Sequence, residues 1–446
     1  MRFLFLGIGL TAAAVAANRV PAEVTFHKDV LPVLQKNCQT CHRPGEAAPM
    51  SLLSYKDARP WAKAMREAVL SRRMPPWFAD SNVGHFTNDR TLSQIEVETL
   101  VNWANQGARE GSLKDAPAPV KFAEGWIIGQ PETVIEMPTS VEIPAAGTIE
   151  YTYVIIPTGL TEDRWVQRAE VRPGNRLLVH HVIAFVREPK SKWMREYPVG
   201  EPFIPKKRGG EARSGENQNR NENRNREDDG FGGEFLTGFA PGSPPEILRP
   251  GQGKLLKAGS ELVLQLHYTA NGKVGSDRTK VGIIFAKEPP VQRVLTLAAA
   301  NNKFVIPPGA ASHAVDGAIT LHADSELISM LPHMHLRGKS MEIRAVYPTG
   351  EKEALVWVPN YDFSWQLWYQ LLPGKKLPKG TRIEATGTFD NSANNKNNPD
   401  PAKEVRHGDQ SWEEMMMGFF DVAIDARMNP GDLLREKKPA PARTED

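Results

Sequence analysis

The chain has 446 residues, and its 55 Lys+Arg against 53 Asp+Glu give a formal net charge of +2, which argues against a nucleic-acid-binding protein. Its length suggests about three domains, and its 36 Gly and 36 Pro favour a turn-rich, mainly β protein. With 2 Cys, the chain cannot be built on a disulfide scaffold.

The N-terminus has the three parts of an export signal. Arg2 is followed by the apolar run Phe3–Leu10 and then by small residues up to Ala17. The apolar run is shorter than the about 20 residues that a membrane-spanning helix needs. We therefore expect residues 1–17 to be a signal peptide, with an N-terminal anchor as the alternative. The mature protein is then predicted to be periplasmic or secreted, without a stable membrane span.

Both cysteines lie in one Cys-x-x-Cys-His motif. Cys38 and Cys41 can form thioethers with a haem, and His42 can be an axial ligand of its iron. A thioredoxin-like redox pair or half of a zinc site is the alternative. Met74, which two prolines follow, is the preferred second axial ligand, and Met50 competes with it. We expect one covalently bound haem c.

A helix is predicted after this motif. Ser93 and Glu96 have the spacing of a capping box, and the helix should stop at Gly107. The helical period runs through Leu92, Ile95, Thr99 and Trp103. With its Cys-x-x-Cys-His motif, its later Met-Pro-Pro and this closing helix, the segment of residues 25–112 resembles a small all-α class I cytochrome c domain.

Three segments have the composition of linkers or loops. Residues 113–122 are rich in proline and predict a linker. Residues 206–230 contain almost no apolar side chain and repeat Asn, Arg, Glu and Gly, which indicates a disordered insertion, with partner binding as the alternative. Residues 391–401, rich in Asn, predict another exposed loop.

From residue 123 onward, the sequence alternates between apolar and polar residues and has frequent turns. This pattern predicts two tandem antiparallel β-sandwiches, residues 123–290 and 291–430, followed by a polar tail at residues 431–446. The clearest predicted strands are residues 150–156, 261–267 and 325–330.

Five histidines lie on or beside predicted strands. Side chains at positions i and i+2 of a strand point to the same face, so His333 and His335 can share one metal ion. His180 and His181 are adjacent, so they can share an ion only at a bulge or a strand end, unless they use different ring nitrogens. His267 ends another predicted strand.

Three consecutive methionines, residues 415–417, follow Glu414 near the C-terminus. At least two of them are expected to fill the core. A thioether beside two imidazoles would select copper over zinc or magnesium.

The order His-His, Gln-x-His-Tyr, His-x-His and a late Glu-Met resembles the copper type II, ascorbate-dependent monooxygenases, such as peptidylglycine α-hydroxylating and dopamine β-monooxygenases. The resemblance covers roughly residues 125–430. It implies two jelly-roll-like sandwiches that hold one copper ion each and face each other across an open cleft. It assigns the electron-donating copper to His180, His181 and His267.

The same resemblance assigns the oxygen-activating copper to His333, His335 and Met415. Met415 is preferred because it follows Glu414 directly, but Met417 shares its strand face and stays open as a ligand. The remaining histidines are expected to be structural or exposed, with His407 the one most able to approach the second copper: His27, His85, His313, His322 and His407. The animal enzymes carry several disulfides and no fused cytochrome, so the loops around the cleft are expected to differ here.

The predicted function is that of an exported, haem-fused copper monooxygenase. It would hydroxylate a C–H bond of a small organic molecule or a peptide with O2. An external donor would deliver electrons through the haem c domain. The alternative is a haem and copper protein that transfers electrons or binds copper without oxidising a substrate.

Overall fold

The computed structural model describes residues 22–46, 48–122, 125–205 and 233–436. The expected signal peptide at residues 1–17 and the expected insertion at residues 206–230 lie outside this range, as do residues 437–446 of the expected tail. Within the described range, no helix has both the length and the apolar character needed to cross a membrane. The chain forms two compact units, of which the first ends at Pro75 and resumes over Arg90–Val120. The second comprises Pro76–Asp89 and the chain from Lys121 onward.

The first unit is helical. Its α-helices are α1 Leu31–Asn37, α2 Tyr55–Ala58, α3 Ala62–Leu70 and α4 Gln94–Asn105. Shorter turns of π- or 3-10 helix cover Phe26–Val30, Arg59–Trp61 and Leu113–Asp115. Side chains from the first turn and from α1 pack with those of α4 around Phe26, Leu34 and Trp103.

The predicted ends of α4 are confirmed. The Ser93 side chain accepts a hydrogen bond from the Glu96 backbone while the Glu96 side chain accepts one from the Ser93 backbone, so the capping box is complete. Helix α4 ends at Asn105, just before Gly107, whose φ of 88° favours glycine. The buried side chains of α4 are Thr99, Leu100 and Trp103, whereas Ile95 is 39% exposed.

The second unit is mainly β, as the sequence predicts. Its first strands are β1 Thr133–Glu136, β2 Val141–Ile143, β3 Thr152–Pro157, β4 Arg164–Arg172, β5 Val179–Arg187, β6 Glu234–Phe239, β7 Glu246–Ile247, β8 Gln252–Leu256, β9 Glu261–Tyr268, β10 Gly275–Asp277 and β11 Lys280–Phe285. The later strands are β12 Gln292–Asn301, β13 Val305–Ile306, β14 His313–Thr320, β15 Ser325–His333, β16 Gly338–Val346, β17 Lys352–Val358, β18 Tyr369–Leu377, β19 Arg382–Phe389, β20 Val405–Arg406 and β21 Met416–Asp425. A short helix, α5 Pro430–Leu434, follows.

One nine-stranded sheet runs through both predicted β regions. Its order is β1-β11-β4-β8-β12-β21-β15-β18, with β7 beside β4. Strands β8 and β12 join the two halves by a short parallel pairing, in which Gln252 lies opposite Gln292. Two four-stranded sheets, β3-β9-β5-β6 and β14-β19-β16-β17, complete the architecture together with two small two-stranded sheets.

Each half of the large sheet shares an apolar core with one four-stranded sheet. One core combines residues of β4 and β11 with residues of β5 and β9, among them Val171 and Leu264. The other combines β12, β15 and β21 with β16 and β19, among them Phe420 and Ile343. Strand β19 alternates between buried and more exposed positions, which gives the period-two pattern of its sequence, whereas β9 is buried along almost its whole length.

Residues Pro76–Asp89, which the sequence places inside the predicted segment 25–112, belong to the second unit. The Asp80 backbone N–H donates to the Trp357 carbonyl at 2.8 Å. The Trp77 ring packs edge-on against Tyr369, with 4.9 Å between the ring centroids. The aromatic side chains of this segment pack against the β core, which explains why the segment belongs to the second unit.

Candidate functional site

Three histidines converge where β5 pairs with β9. In the antiparallel register His181 lies opposite His267, and directly opposed residues present neighbouring side chains on one face. The register shifts between Val179 and His181, so His180 occupies a bulge. A bulge turns its side chain toward the face of the next residue. The structure therefore provides the bulge that two adjacent histidines need to share an ion.

The converging atoms are the same nitrogen of each ring. Nδ1 of His180 lies 3.1 Å from Nδ1 of His181 and 3.2 Å from Nδ1 of His267. Ligand atoms bound about 2.0–2.1 Å from one tetrahedral ion lie about 3.3 Å apart, close to these spacings. The outer nitrogen of His267, Nε2, is 3.2 Å from the Ser411 hydroxyl, which leaves Nδ1 available.

The charge state of these imidazoles suits metal binding. Burial lowers the pKa of His180 to about 4. Burial, and then the charges of neighbouring histidines, hold the pKa values of His181 and His267 well below the usual range. All three rings are therefore neutral near pH 7, which is the form that binds metal ions.

His333 and His335 form a second group at the end of β15. Their ring centroids are 5.3 Å apart and the rings are nearly perpendicular. Nδ1 of His333 donates to the side-chain oxygen of Gln366 at 2.8 Å, and Nδ1 of His335 donates to the Glu413 carbonyl at 3.2 Å. Because both oxygens can only accept, the Nε2 atoms carry lone pairs.

In this group, the Nε2 atom of His335 is buried and has no hydrogen-bond partner among the described residues. A buried polar atom left in this state costs about 1–3 kcal/mol, and a bound metal ion would remove that cost. Burial lowers the pKa of His333 to about 4 and that of His335 well below the usual range, so both rings are neutral.

The consecutive methionines divide between two environments. Met416 is fully buried in the core between β16, β19 and β21. Met415 and Met417 instead line a cavity of about 1160 Å³ together with His333. Strand alternation explains this division, and both Met415 and Met417 stay candidate ligands.

The same cavity connects the two histidine groups. Its wall includes His181 of the first group and His333 of the second. His407, expected to be the bystander nearest the second group, lines it as well. Burial lowers the pKa of His407.

A buried carboxylate holds the second group in place. Glu414 is fully buried and accepts hydrogen bonds from the backbone N–H groups of His335 at 2.9 Å and Arg337 at 2.6 Å. The Arg337 guanidinium in turn donates to the Trp412 carbonyl at 2.9 Å and the Asn391 side chain at 2.8 Å. Glu414 thus ties the His-x-His segment to the segment that carries Met415.

Residues 391–401 form a loop that is exposed over much of its length, as expected, but its first residue is an exception. Asn391 is fully buried, and its amide donates to the carbonyls of Pro307 and Lys403, at 2.9 Å each. Its side-chain oxygen accepts from Arg337, so Asn391 is a buried support of that residue.

In the first unit, the Cys-x-x-Cys-His motif forms a tight turn at the end of α1. The backbone N–H of His42 donates to the Cys38 carbonyl at 2.9 Å. Both cysteines are free thiols, and burial raises the pKa of Cys38 to about 12. Nδ1 of His42 donates to the Met50 carbonyl at 3.3 Å, which leaves Nε2 available, and burial lowers the pKa of its ring.

The two candidate axial methionines differ in their surroundings. Met50 packs against the helical core of the first unit. Met74 is half-buried and follows α3, with its backbone N–H on the Ala68 carbonyl at 3.3 Å. The preference for Met74 stays a prediction.

Several residues of the second unit's site carry no sequence motif. Gln366 lies 33 positions from His333, and Ser411 lies 144 positions from His267. Both partners lie on loops, far in sequence from their histidines, and hydrophobic periodicity does not predict such contacts.

No protein-family model and no curated protein matches the chain. Among solved structures, similarity is found to the Gx strain structure of infectious bursal disease virus, at 9% identity and a TM-score of 0.18, covering 68% of this chain and 74% of that one. The Gt strain structure of the same virus is similar at 11% identity and a TM-score of 0.18, covering 68% and 75%.

Proposed function

We propose that the protein is an exported, haem-linked copper monooxygenase that hydroxylates a C–H bond with O2. In this proposal an all-α cytochrome c-like domain precedes two tandem antiparallel, jelly-roll-like β-sandwiches. The observation that carries the proposal is the pair of buried, neutral histidine groups that open on one cavity.

The donor sets fit copper. The first ion would be held by the Nδ1 atoms of His180, His181 and His267. The second would be held by His333, His335 and Met415, with Met417 as the alternative. Imidazole suits copper and zinc alike, but a thioether favours copper, especially Cu(I).

When bound, copper would supply one-electron redox chemistry and activation of O2. The contribution of the chain would be to orient the histidine rings that hold the ion. Gln366 and the Glu413 carbonyl hold the second pair of rings by their Nδ1 atoms, so that both Nε2 atoms face away from those anchors. The cavity of about 1160 Å³ beside His333 has room for a small organic molecule or a peptide segment.

The Cys-x-x-Cys-His motif would hold the electron-delivering haem c. Cys38 and Cys41 would provide the thioethers, and His42 and Met74 would be the ligands of the iron. The hydrogen bond from Nδ1 of His42 to the Met50 carbonyl supports this assignment, because it fixes the ring and leaves Nε2 for iron. An external donor in the periplasm or outside the cell would reduce this haem.

The test begins with the purified full-length protein. Iron and copper are counted, the haem is reduced, and its reoxidation by O2 is followed in the wild type and in His333→Ala. We expect one haem and two coppers per wild-type chain, and slow reoxidation with one copper in His333→Ala. His322→Ala, a change outside both groups, is the matched control and should behave as the wild type.

Fewer than two coppers per chain would contradict the two-site proposal. Two coppers with equal reoxidation in the wild type and in His333→Ala would contradict oxygen activation at the second group. That result would favour the alternative, a haem and copper protein that passes electrons without oxidising a substrate.

A further inference from the structure

Two aromatic rings contact both histidine groups at once. The centroid of the Tyr151 ring lies 4.6 Å from that of His267 and 6.5 Å from that of His335. The Phe363 ring stacks on His180, with 4.9 Å between centroids, and lies 5.9 Å from His335. All four spacings are within the range of directly packed aromatic rings.

Both rings are buried and anchored from the two sides. Tyr151 is 2% exposed and precedes β3, and its backbone N–H donates to the Gln410 side chain at 3.1 Å. Phe363 is 9% exposed, and its carbonyl accepts a hydrogen bond at 2.9 Å from Gln366, the residue that also holds His333. The same side chain therefore fixes a ring of the second group and one of the two aromatic rings that contact both groups.

We propose that Tyr151 and Phe363 join the two histidine groups into one compact dinuclear copper site. This inference rests on the proposed function and departs from the open cleft that the family resemblance implies. One electron would pass from the copper ion held by His180, His181 and His267, which would be oxidised from Cu(I) to Cu(II), to the copper ion held by His333 and His335, which would be reduced from Cu(II) to Cu(I). No atom moves in this step, and the haem or a small-molecule reductant replaces the electron.

The experiment uses the full-length protein loaded with Cu(II) and electron paramagnetic resonance of the bound ions. We expect the wild-type spectrum to show dipolar broadening from two nearby Cu(II) ions. The broadening should be lost in His333→Ala, which keeps the first group alone. Two bound ions whose spectrum is the simple sum of two isolated signals would overturn this inference and leave the proposed function standing. Fewer than two bound ions would overturn both.

The role of the bridging rings is tested with matched variants. Tyr151→Leu should weaken copper binding at both groups by about 2- to 10-fold, because the rings of His267 and His335 each lose an aromatic contact. Tyr151→Phe keeps the ring and should restore wild-type binding. Tyr153→Leu is the control, because Tyr153 is a buried tyrosine two positions away that stacks on Phe203.

A ring that served one group only would produce a different result. Tyr151→Leu would then weaken one copper and leave the other at its wild-type affinity, which would contradict the bridging role. Phe363→Leu gives an independent measurement of the same point, because its ring contacts His180 and His335 from the other side.

Discussion

The two histidine groups of the β unit present opposite ring nitrogens. In the first group the three Nδ1 atoms converge, and Nε2 of His267 contacts the Ser411 hydroxyl. In the second group the Nδ1 atoms of His333 and His335 are hydrogen-bonded, and the Nε2 atoms are available. In His267, His333 and His335, a hydrogen bond at one ring nitrogen leaves the other nitrogen for a metal ion.

The groups also differ in what holds their backbone. His181 and His267 sit opposite each other in a strand ladder, so main-chain pairing positions them. His335 lies beyond the end of β15, and the carboxylate of Glu414 binds its N–H instead. The second group therefore depends on single side chains to a greater extent than the first, and the predictions below test this difference.

The largest effect is expected for Glu414→Ala. The change leaves the buried backbone N–H groups of His335 and Arg337 without an acceptor. Each buried donor that loses its partner lowers the free energy of unfolding by about 1–3 kcal/mol. Urea denaturation should show this loss, and copper counting should show that the second group loses its ion while the first keeps it.

Glu413→Ala is the matched control for that measurement. It removes the neighbouring carboxylate but keeps the backbone carbonyl that holds His335. Wild-type stability in Glu414→Ala would contradict the supporting role of Glu414. Loss of copper from the first group instead of the second would contradict the idea that only the second group depends on this side chain.

The next largest effect concerns acid stability of the metal-free protein. Burial lowers the pKa of His180 and of His333 to about 4 from a usual value of 6.5. Between these two pH values the two histidines bind more protons in the unfolded chain than in the folded chain, so their contribution to stability falls as pH falls through this window. Each unit of pKa difference corresponds to about 1.4 kcal/mol. Above pH 6.5 both histidines are neutral in either state, and their contribution is constant.

The pH dependence is measured as the melting temperature of the wild type, His180→Gln and His333→Gln. Each variant should lose part of the decrease between pH 6.5 and pH 4, which separates the histidines from the carboxylates that titrate in the same range. A variant that reproduces the wild-type slope would show that its histidine is not buried in the neutral form.

A smaller effect, mainly at one group, is expected for Gln366→Leu. The change removes the acceptor for Nδ1 of His333 and lets that ring reorient. Loss of such a partner lowers metal affinity by about 10- to 100-fold, and titration with a copper chelator should show this at the second group, with a smaller loss at the first group through Phe363. Ser411→Ala should have its effect at the first group, through His267. Gln370→Leu is the control, and equal losses at both groups in Gln366→Leu would contradict the assignment.

Local pattern was sufficient to predict the clearest strands and one helix. Alternation predicts residues 261–267, and β9 covers Glu261–Tyr268. The capping box and Gly107 predict both ends of α4. These features depend on neighbours a few residues apart, so a single sequence contains the necessary information.

Features set by long-range packing could not be predicted in the same way. The bulge at His180 depends on the register with β9, and the sequence indicates only that a bulge is needed. The burial of Asn391 depends on carbonyls of Pro307 and Lys403, which no spacing rule connects to it. The parallel pairing of β8 with β12 joins two regions that each have their own apolar pattern.

The smallest effects are expected in the three consecutive methionines, and they refine the composition of the second group. Met415→Leu should lower its affinity for Cu(I), because a thioether is replaced by a side chain without a donor atom. Met417→Leu tests the alternative ligand on the same cavity wall. Met416→Leu is the control: this core residue should lose less than about 1.5 kcal/mol of stability and no copper. If Met417→Leu alone releases Cu(I), then Met417 is the ligand and the family's Glu-Met order does not apply to this chain. If neither change does, the second group binds its ion through His333 and His335 without sulfur, and the preference for copper over zinc loses its chemical basis.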